Sequence, residues 1–114
     1  MFNRGEVWFA NLNLGQGTEP GKTSPVLIVQ CQDLLDADHP STIIIPLTTN
    51  LVNNAEPLRL RIPAGQKLKK DSDLLVDQVR AIDNNRLVSG PVFECSASIM
   101  NQIDRCLMEV LGFV

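Results

Sequence analysis

Two uninterrupted apolar runs, residues 25–29 (Pro-Val-Leu-Ile-Val) and 42–47 (Thr-Ile-Ile-Ile-Pro-Leu), constrain this chain more than any other feature. Each has the length of a strand and lacks polar alternation, so each needs cover on both faces, as the central strands of a sheet do. The polar stretch between them has room for a helical turn over residues 33–40 but not for a crossover helix, which argues against a parallel, doubly wound sheet.

The flanking segments extend this to a mainly β chain. Residues 5–12 (Gly-Glu-Val-Trp-Phe-Ala-Asn-Leu) are rich in aromatic and β-branched types and predict a first strand. Residues 13–24 hold three glycines and a proline, too broken for a helix or strand interior, and predict a long loop. Residues 58–62 alternate apolar and basic side chains with period two, predicting a strand with one wet, positive face. Residues 72–79 and 86–92 predict two more short strands, parted by the turn signal Asp83-Asn84-Asn85. At the C-terminal end Ile99, Met100, Ile103, Cys106, Leu107, Val110 and Leu111 fall on one helical stripe. Ser96 or Ser98 can cap its start and Gly112 its end. The expected fold is α+β but mainly β, a small, partly open barrel closed by one C-terminal amphipathic helix.

With 114 residues the chain suffices for one domain, 1–114, and its 44% apolar and 20% charged residues are ordinary soluble usage. No apolar run approaches the roughly 20 residues needed to span a bilayer, and the N-terminus lacks a signal-peptide pattern, so the expected location is the cytoplasm with no membrane contact. Cys31, Cys95 and Cys106 form an odd set without a CxxC pair and predict buried, reduced thiols. His39 sits in a turn among Asp33, Asp36 and Asp38 without calcium-loop spacing, so neither a metal site nor a cofactor is expected. The net charge of −3 argues against a general nucleic-acid binder. Arg59, Arg61, Lys67, Lys69 and Lys70 nevertheless concentrate half the basic residues in one segment, with no acid between Glu56 and Asp71.

Four segments, in order, resemble the MazF/PemK toxins. They are Arg4-Gly-Glu-Val-Trp, the run from Gly17-Thr-Glu-Pro-Gly-Lys-Thr-Ser-Pro to Gln30, Pro46-Leu-Thr-Thr-Asn50, and Asp71-Ser with Asp77-Gln-Val-Arg-Ala-Ile-Asp83. The resemblance spans almost the whole chain. It implies an SH3-like barrel, a homodimer, and metal-independent, sequence-specific cleavage of single-stranded mRNA. It also implies a cognate antitoxin whose disordered C-terminal tail folds into the RNA groove.

Cleavage by the RNA's own 2′-hydroxyl needs a base, an acid for the leaving 5′-oxygen, and donors around the phosphorane. Glu19 and Asp77 match family carboxylates, and either serves as the base. Thr48 matches the threonine that contacts the scissile phosphate. Thr49, Lys22, Gln78 and Arg80 stand in the matching segments as RNA-ordering groups, and strand alternation would put Gln78 and Arg80 on one face and Asp77 on the other. The basic run Arg59, Arg61, Lys67, Lys69 and Lys70 either tracks the RNA backbone or is a solvated hairpin.

The chain departs from the family where it matters for charge. Ser24 stands where the family's Arg-Pro-Val motif places a catalytic arginine, and Leu75 stands where the PemK branch has a second. Ser24 is then an inactivating substitution or a divergence in which Lys22 or Arg80 takes over. Two other classes remain open: a CcdB-like toxin that binds gyrase, and a catalytically dead homologue that binds RNA or antitoxin.

Overall fold

The computed structural model describes residues 1–12 and 22–114. Seven antiparallel strands form one curved sheet: β1 (Glu6–Ala10), β2 (Ser24–Ile28), β3 (Ser41–Thr48), β4 (Arg59–Ile62), β5 (Ser72–Leu75), β6 (Arg80–Asp83) and β7 (Leu87–Glu94). The order is β4-β5-β3-β2-β1-β7, with β6 also on β3. A short helix α1 (Gln32–Asp36) links β2 to β3, and α2 (Ala97–Val110) ends the chain. Most of the loop expected over residues 13–24, including Glu19, lies outside the described residues.

Both apolar runs are central strands, buried on two faces except at half-buried Pro25 and at Ile43, which is 40% exposed. In β2, Val26 and Ile28 point into a cluster with Ala10, Leu35, Ile44, Ile82 and Leu87. Leu27 joins the larger cluster on the other side with Val7, Ile45, Leu47, Leu60, Ile62, Leu74 and Ile103. Leu27, Ile28, Ile44 and Ile45 are fully buried. At about 1.5–3 kcal/mol for each such side chain, these two strands organise the fold.

The barrel stays open. Edge strands β4 and β7 share no ladder; the hairpin at residues 63–71 bridges them, with Lys67 N–H donating to the Val92 carbonyl (2.9 Å) and Glu94 N–H to Gln66 Oε1 (2.9 Å). Helix α2 lays Ile99, Met100, Ile103, Cys106, Leu107 and Val110 against the larger cluster, so its stripe is an intramolecular lid. Ser96 caps its start by accepting from Ile99 N–H (3.2 Å). At its end Gly112 adopts φ +81°, with Gly112 N–H donating to Glu109 O and Phe113 N–H to Met108 O, a Schellman pair that glycine permits. Leu111, counted in the stripe, lies past the helix and is exposed.

Residues 72–79 are not the continuous strand that their composition predicts. β3 pairs with β5 through Leu47↔Leu74 and Thr48↔Asp73, then with β6 through Ile44↔Arg80 and Thr42↔Ile82 on the same edge. The register slips by three residues between the two, and the three residues Val76–Gln78 leave the sheet as a 3₁₀ turn. Pro46, with no N–H to donate to a ladder, falls where β3 exchanges β6 for β5. The cysteine expectation also needs correction: Cys106 is buried and Cys95 partly so, but Cys31 is exposed at the N-cap of α1, a short helix that buries only Leu35. No helix among the described residues is long and apolar enough to cross a membrane.

Candidate active site

One row of cross-strand neighbours gathers several of the sequence-predicted residues. Ala10 pairs with Ser24 between β1 and β2, Thr48 with Asp73 between β3 and β5, and Asp73 with Arg61 between β5 and β4. The β2–β3 register Val26↔Pro46, carried two residues further, sets Ser24 against Thr48. Directly opposed residues share a face and stand about 5 Å apart, so Ser24, Thr48, Asp73 and Arg61 line one side of the sheet.

Thr48 lies at the point where β3 ends, and its Oγ1 accepts from Asn50 N–H (3.1 Å), which turns the chain out of the strand. The hydroxyl proton remains able to donate towards a ligand. Thr49 and Asn50 beyond it are exposed, as are Lys22 and Thr23 before half-buried Ser24. The site therefore sits at the rim, where two central strands end together.

Asp73 is the residue that the sequence analysis missed. It is 1% exposed, and its carboxylate accepts from Arg61 Nε (2.5 Å), Arg59 Nη1 (3.2 Å) and Val52 N–H (2.9 Å). Burial pushes its pKa up, but the hydrogen bonds from Arg61, Val52 and Arg59 and the charge of Arg61 outweigh that and hold it below the ordinary value. Asp73 in turn raises the pKa of Arg61, chiefly through the hydrogen bond. The same arginines grip the loop after Thr48: Arg59 Nη1 donates to the Asn50 carbonyl (2.8 Å) and Arg61 Nη2 to Asn53 Oδ1 (2.9 Å).

The expected wet, positive face of β4 is present, with Arg59 half-buried and Arg61 exposed against buried Leu60 and Ile62, and both arginines are tied to a buried acid. Its available sign was a lone aspartate inside the apolar strand Ser-Asp-Leu-Leu, opposite a strand with arginines two apart. Only the register Arg61↔Asp73 reveals that they meet.

Asp77 and Gln78 are exposed on the 3₁₀ turn, and Arg80 is half-buried at the start of β6, opposite Ile44. The expected alternation of faces along 77–80 does not hold, because alternation needs an extended chain and this stretch is a turn. Arg80 lies opposite a position four residues along β3 from Thr48, roughly 13 Å at strand rise, so the turn bearing Asp77 stands between Arg80 and the rim. Lys67, Lys69 and Lys70 are exposed on the hairpin that bridges to β7.

The row can hold an anion on hydroxyls and guanidinium groups, with a carboxylate on the neighbouring turn. Comparison with known proteins narrows this. A family model described as "PemK-like, MazF-like toxin of type II toxin-antitoxin system" matches residues 3–111. An "Endoribonuclease MazF" of Staphylococcus epidermidis is 34% identical over 113 residues, covering 98% of this chain and 92% of that protein. Among solved structures, a MazE–MazF crystal structure from Deinococcus radiodurans superposes with TM-score 0.78 at 19% identity, over 98% of this chain and 96% of that one. The Mycobacterium tuberculosis toxin MazF-mt6 does so with TM-score 0.75 at 17% identity, over 94% and 96%. At those identities the structural likeness speaks for the fold alone.

Proposed function

Because the chain belongs to the PemK-like, MazF-like toxin family of type II toxin–antitoxin systems, we propose that it is an endoribonuclease that cuts single-stranded mRNA by attack of the RNA's own 2′-hydroxyl. The observation that carries this is the row at the rim, with the Thr48 hydroxyl beside Ser24 on one flank and the Asp73–Arg61 pair on the other. The 34% identity to an endoribonuclease over nearly the whole chain supports it.

In this scheme the phosphodiester lies across the end of β3, and Thr48 donates to a phosphate oxygen. Asp77, on its exposed turn, or Glu19 takes the 2′-proton. Lys22, Thr49, Gln78 and Arg80 order the strand, and the lysines at 67, 69 and 70 meet its backbone beyond the rim. The nucleophile is part of the substrate, so the route needs a base, an acid and donors around the phosphorane, and no bound metal. Ser24 has no charge to offer there, and the loss of one such electrostatic contact typically costs on the order of 100- to 1,000-fold in rate.

The expected assembly is a homodimer that binds an antitoxin tail along the same groove. A mycobacterial endoribonuclease solved with its cognate antitoxin has this fold, with TM-score 0.73. The test compares this chain with its Ser24→Arg form on a long single-stranded RNA in the presence of EDTA. Cleavage by the arginine form, leaving 2′,3′-cyclic phosphate or 3′-phosphate and 5′-hydroxyl ends, with slower cleavage by the serine form, bears out the scheme. If neither folded form cuts, or if both cut equally fast, the scheme or the role given to position 24 is wrong, respectively.

A further inference from the structure

An open cleft of about 520 Å³ is lined by Arg59, Arg61, Asp73 and residues 52–56, and Asp73 in its wall is the cross-strand neighbour of Thr48. One buried carboxylate here holds two guanidinium groups, which leaves these three side chains with a net charge of +1, a charge that Glu56 on the same cleft offsets. Among the described residues, Arg59 donates only through Nη1, and Arg61 only through Nε and Nη2. The Nε and Nη2 of Arg59 and the Nη1 of Arg61 therefore remain free to donate. The arginine side chains are 25% and 36% exposed and both line the cleft, whereas the Asp73 side chain is 1% exposed.

We propose that Arg59 and Arg61, held in place by Asp73, form a phosphate subsite for the RNA strand next to Thr48, with Asp73 as its positioning residue. This rests on the ribonuclease reading above and adds where the strand is held and by what.

Three physical points support it. Ordering an arginine costs side-chain entropy, and here Asp73, Asn50 and Asn53 have ordered both before any ligand arrives. A guanidinium bound along one edge still presents another in the forked geometry that fits phosphate oxygens. The row places Asp73 directly opposite Thr48, one strand away, so a phosphate on the arginines lies within the spacing of neighbouring nucleotides from the rim. Glu56 lines the same cleft and works against a phosphate, which makes it an internal test of sign.

The experiment measures binding of a labelled, mixed-sequence oligoribonucleotide carrying 2′-O-methyl groups throughout, which 2′-attack cannot cut, across a salt series. Arg59→Gln and Arg61→Gln are each expected to weaken binding about tenfold. Each should also lower the slope of log affinity against log salt by about 0.7, the single-strand value for one phosphate contact. Arg61→Lys should keep the slope, and Glu56→Gln should tighten binding. Asp73→Asn removes a negative charge and one of the two acceptor oxygens, so that either Arg61 or Arg59 with the Val52 N–H loses its partner; it should bind the probe at least as tightly, yet slow cleavage in the Ser24→Arg background. Urea midpoints close to the parent's show that the glutamine variants are folded, and should one fail that check, Arg61→Lys and Glu56→Gln still decide the matter through slope and sign.

Unchanged affinity and slope in the glutamine variants, with the probe still bound, overturn the subsite and leave the ribonuclease reading intact. A parallel rise of binding and cleavage in Asp73→Asn overturns its positioning role. Absence of any binding together with absence of cleavage by the Ser24→Arg form overturns both.

Discussion

Replacing Ile103 by alanine tests whether α2 closes the barrel. Ile103 is fully buried in the larger cluster and lies on the helix that packs against the turn bearing Asp77 and Gln78. The change removes three carbons, about 2.4 kcal/mol of transfer free energy at ~0.8 per buried carbon. The cavity left in a site lined by rigid strands adds about 1–2 kcal/mol, for a total loss of about 3–4. With a urea slope of about 1.5 kcal/mol/M, the midpoint should fall by about 2 M. Two controls bracket it: Ile103→Val should cost about 1 kcal/mol, and Met108→Ala, on the same helix but 41% exposed, no more than about 0.5. Because an oligomer's stability depends on concentration, all variants are unfolded at one protein concentration and the transitions followed by circular dichroism. A loss below about 1 kcal/mol for Ile103→Ala, or one no larger than that of Met108→Ala, would refute the intramolecular lid and make the helix an arm docked elsewhere.

Three further outcomes follow from particular contacts. Gly90→Ala should destabilise the fold by about 2–4 kcal/mol in urea, since its φ of +152° disfavours a side chain and the added Cβ would stand 2.8 Å from Trp8 Cδ2; a neutral result would mean that β7 moves freely off Trp8. Asp73 has a folded pKa below its ordinary value of 3.8, so its stabilisation is present above that value and is lost as pH falls through the folded one. Acid should therefore lower the urea midpoint less steeply in Asp73→Asn than in the parent, and equal slopes would discount the ion pairs. In the native protein at mildly alkaline pH, iodoacetamide should modify exposed Cys31 alone, because burial pushes Cys95 up to about 11 and also raises Cys106. Peptide mass mapping that finds Cys95 alkylated as fast as Cys31 would contradict that burial.

What the sequence determined was local or periodic. Two largely apolar runs of strand length pointed to central strands, and the stripe from Ile99 to Val110 with Ser96 before it and Gly112 after it pointed to a capped amphipathic helix. The position of Thr48 at the end of the second run was legible in the same way, whereas the expectation about Ser24 came only from the family resemblance. The tertiary structure decided whatever depends on which strand meets which. The one local mark of Asp73 is that it is the lone acid in the apolar strand Ser-Asp-Leu-Leu; it is buried because β5 pairs with β4 on one side and β3 on the other, bringing two arginines and the Val52 N–H to a carboxylate that could not otherwise remain ionised there. Nor does composition reveal that Asp77 leaves the sheet, since the three-residue slip arises only when β3 changes partners along one edge. Propensity and pattern act over a few residues along the chain, whereas charge pairing and register act across it, between segments whose encounter no single segment encodes.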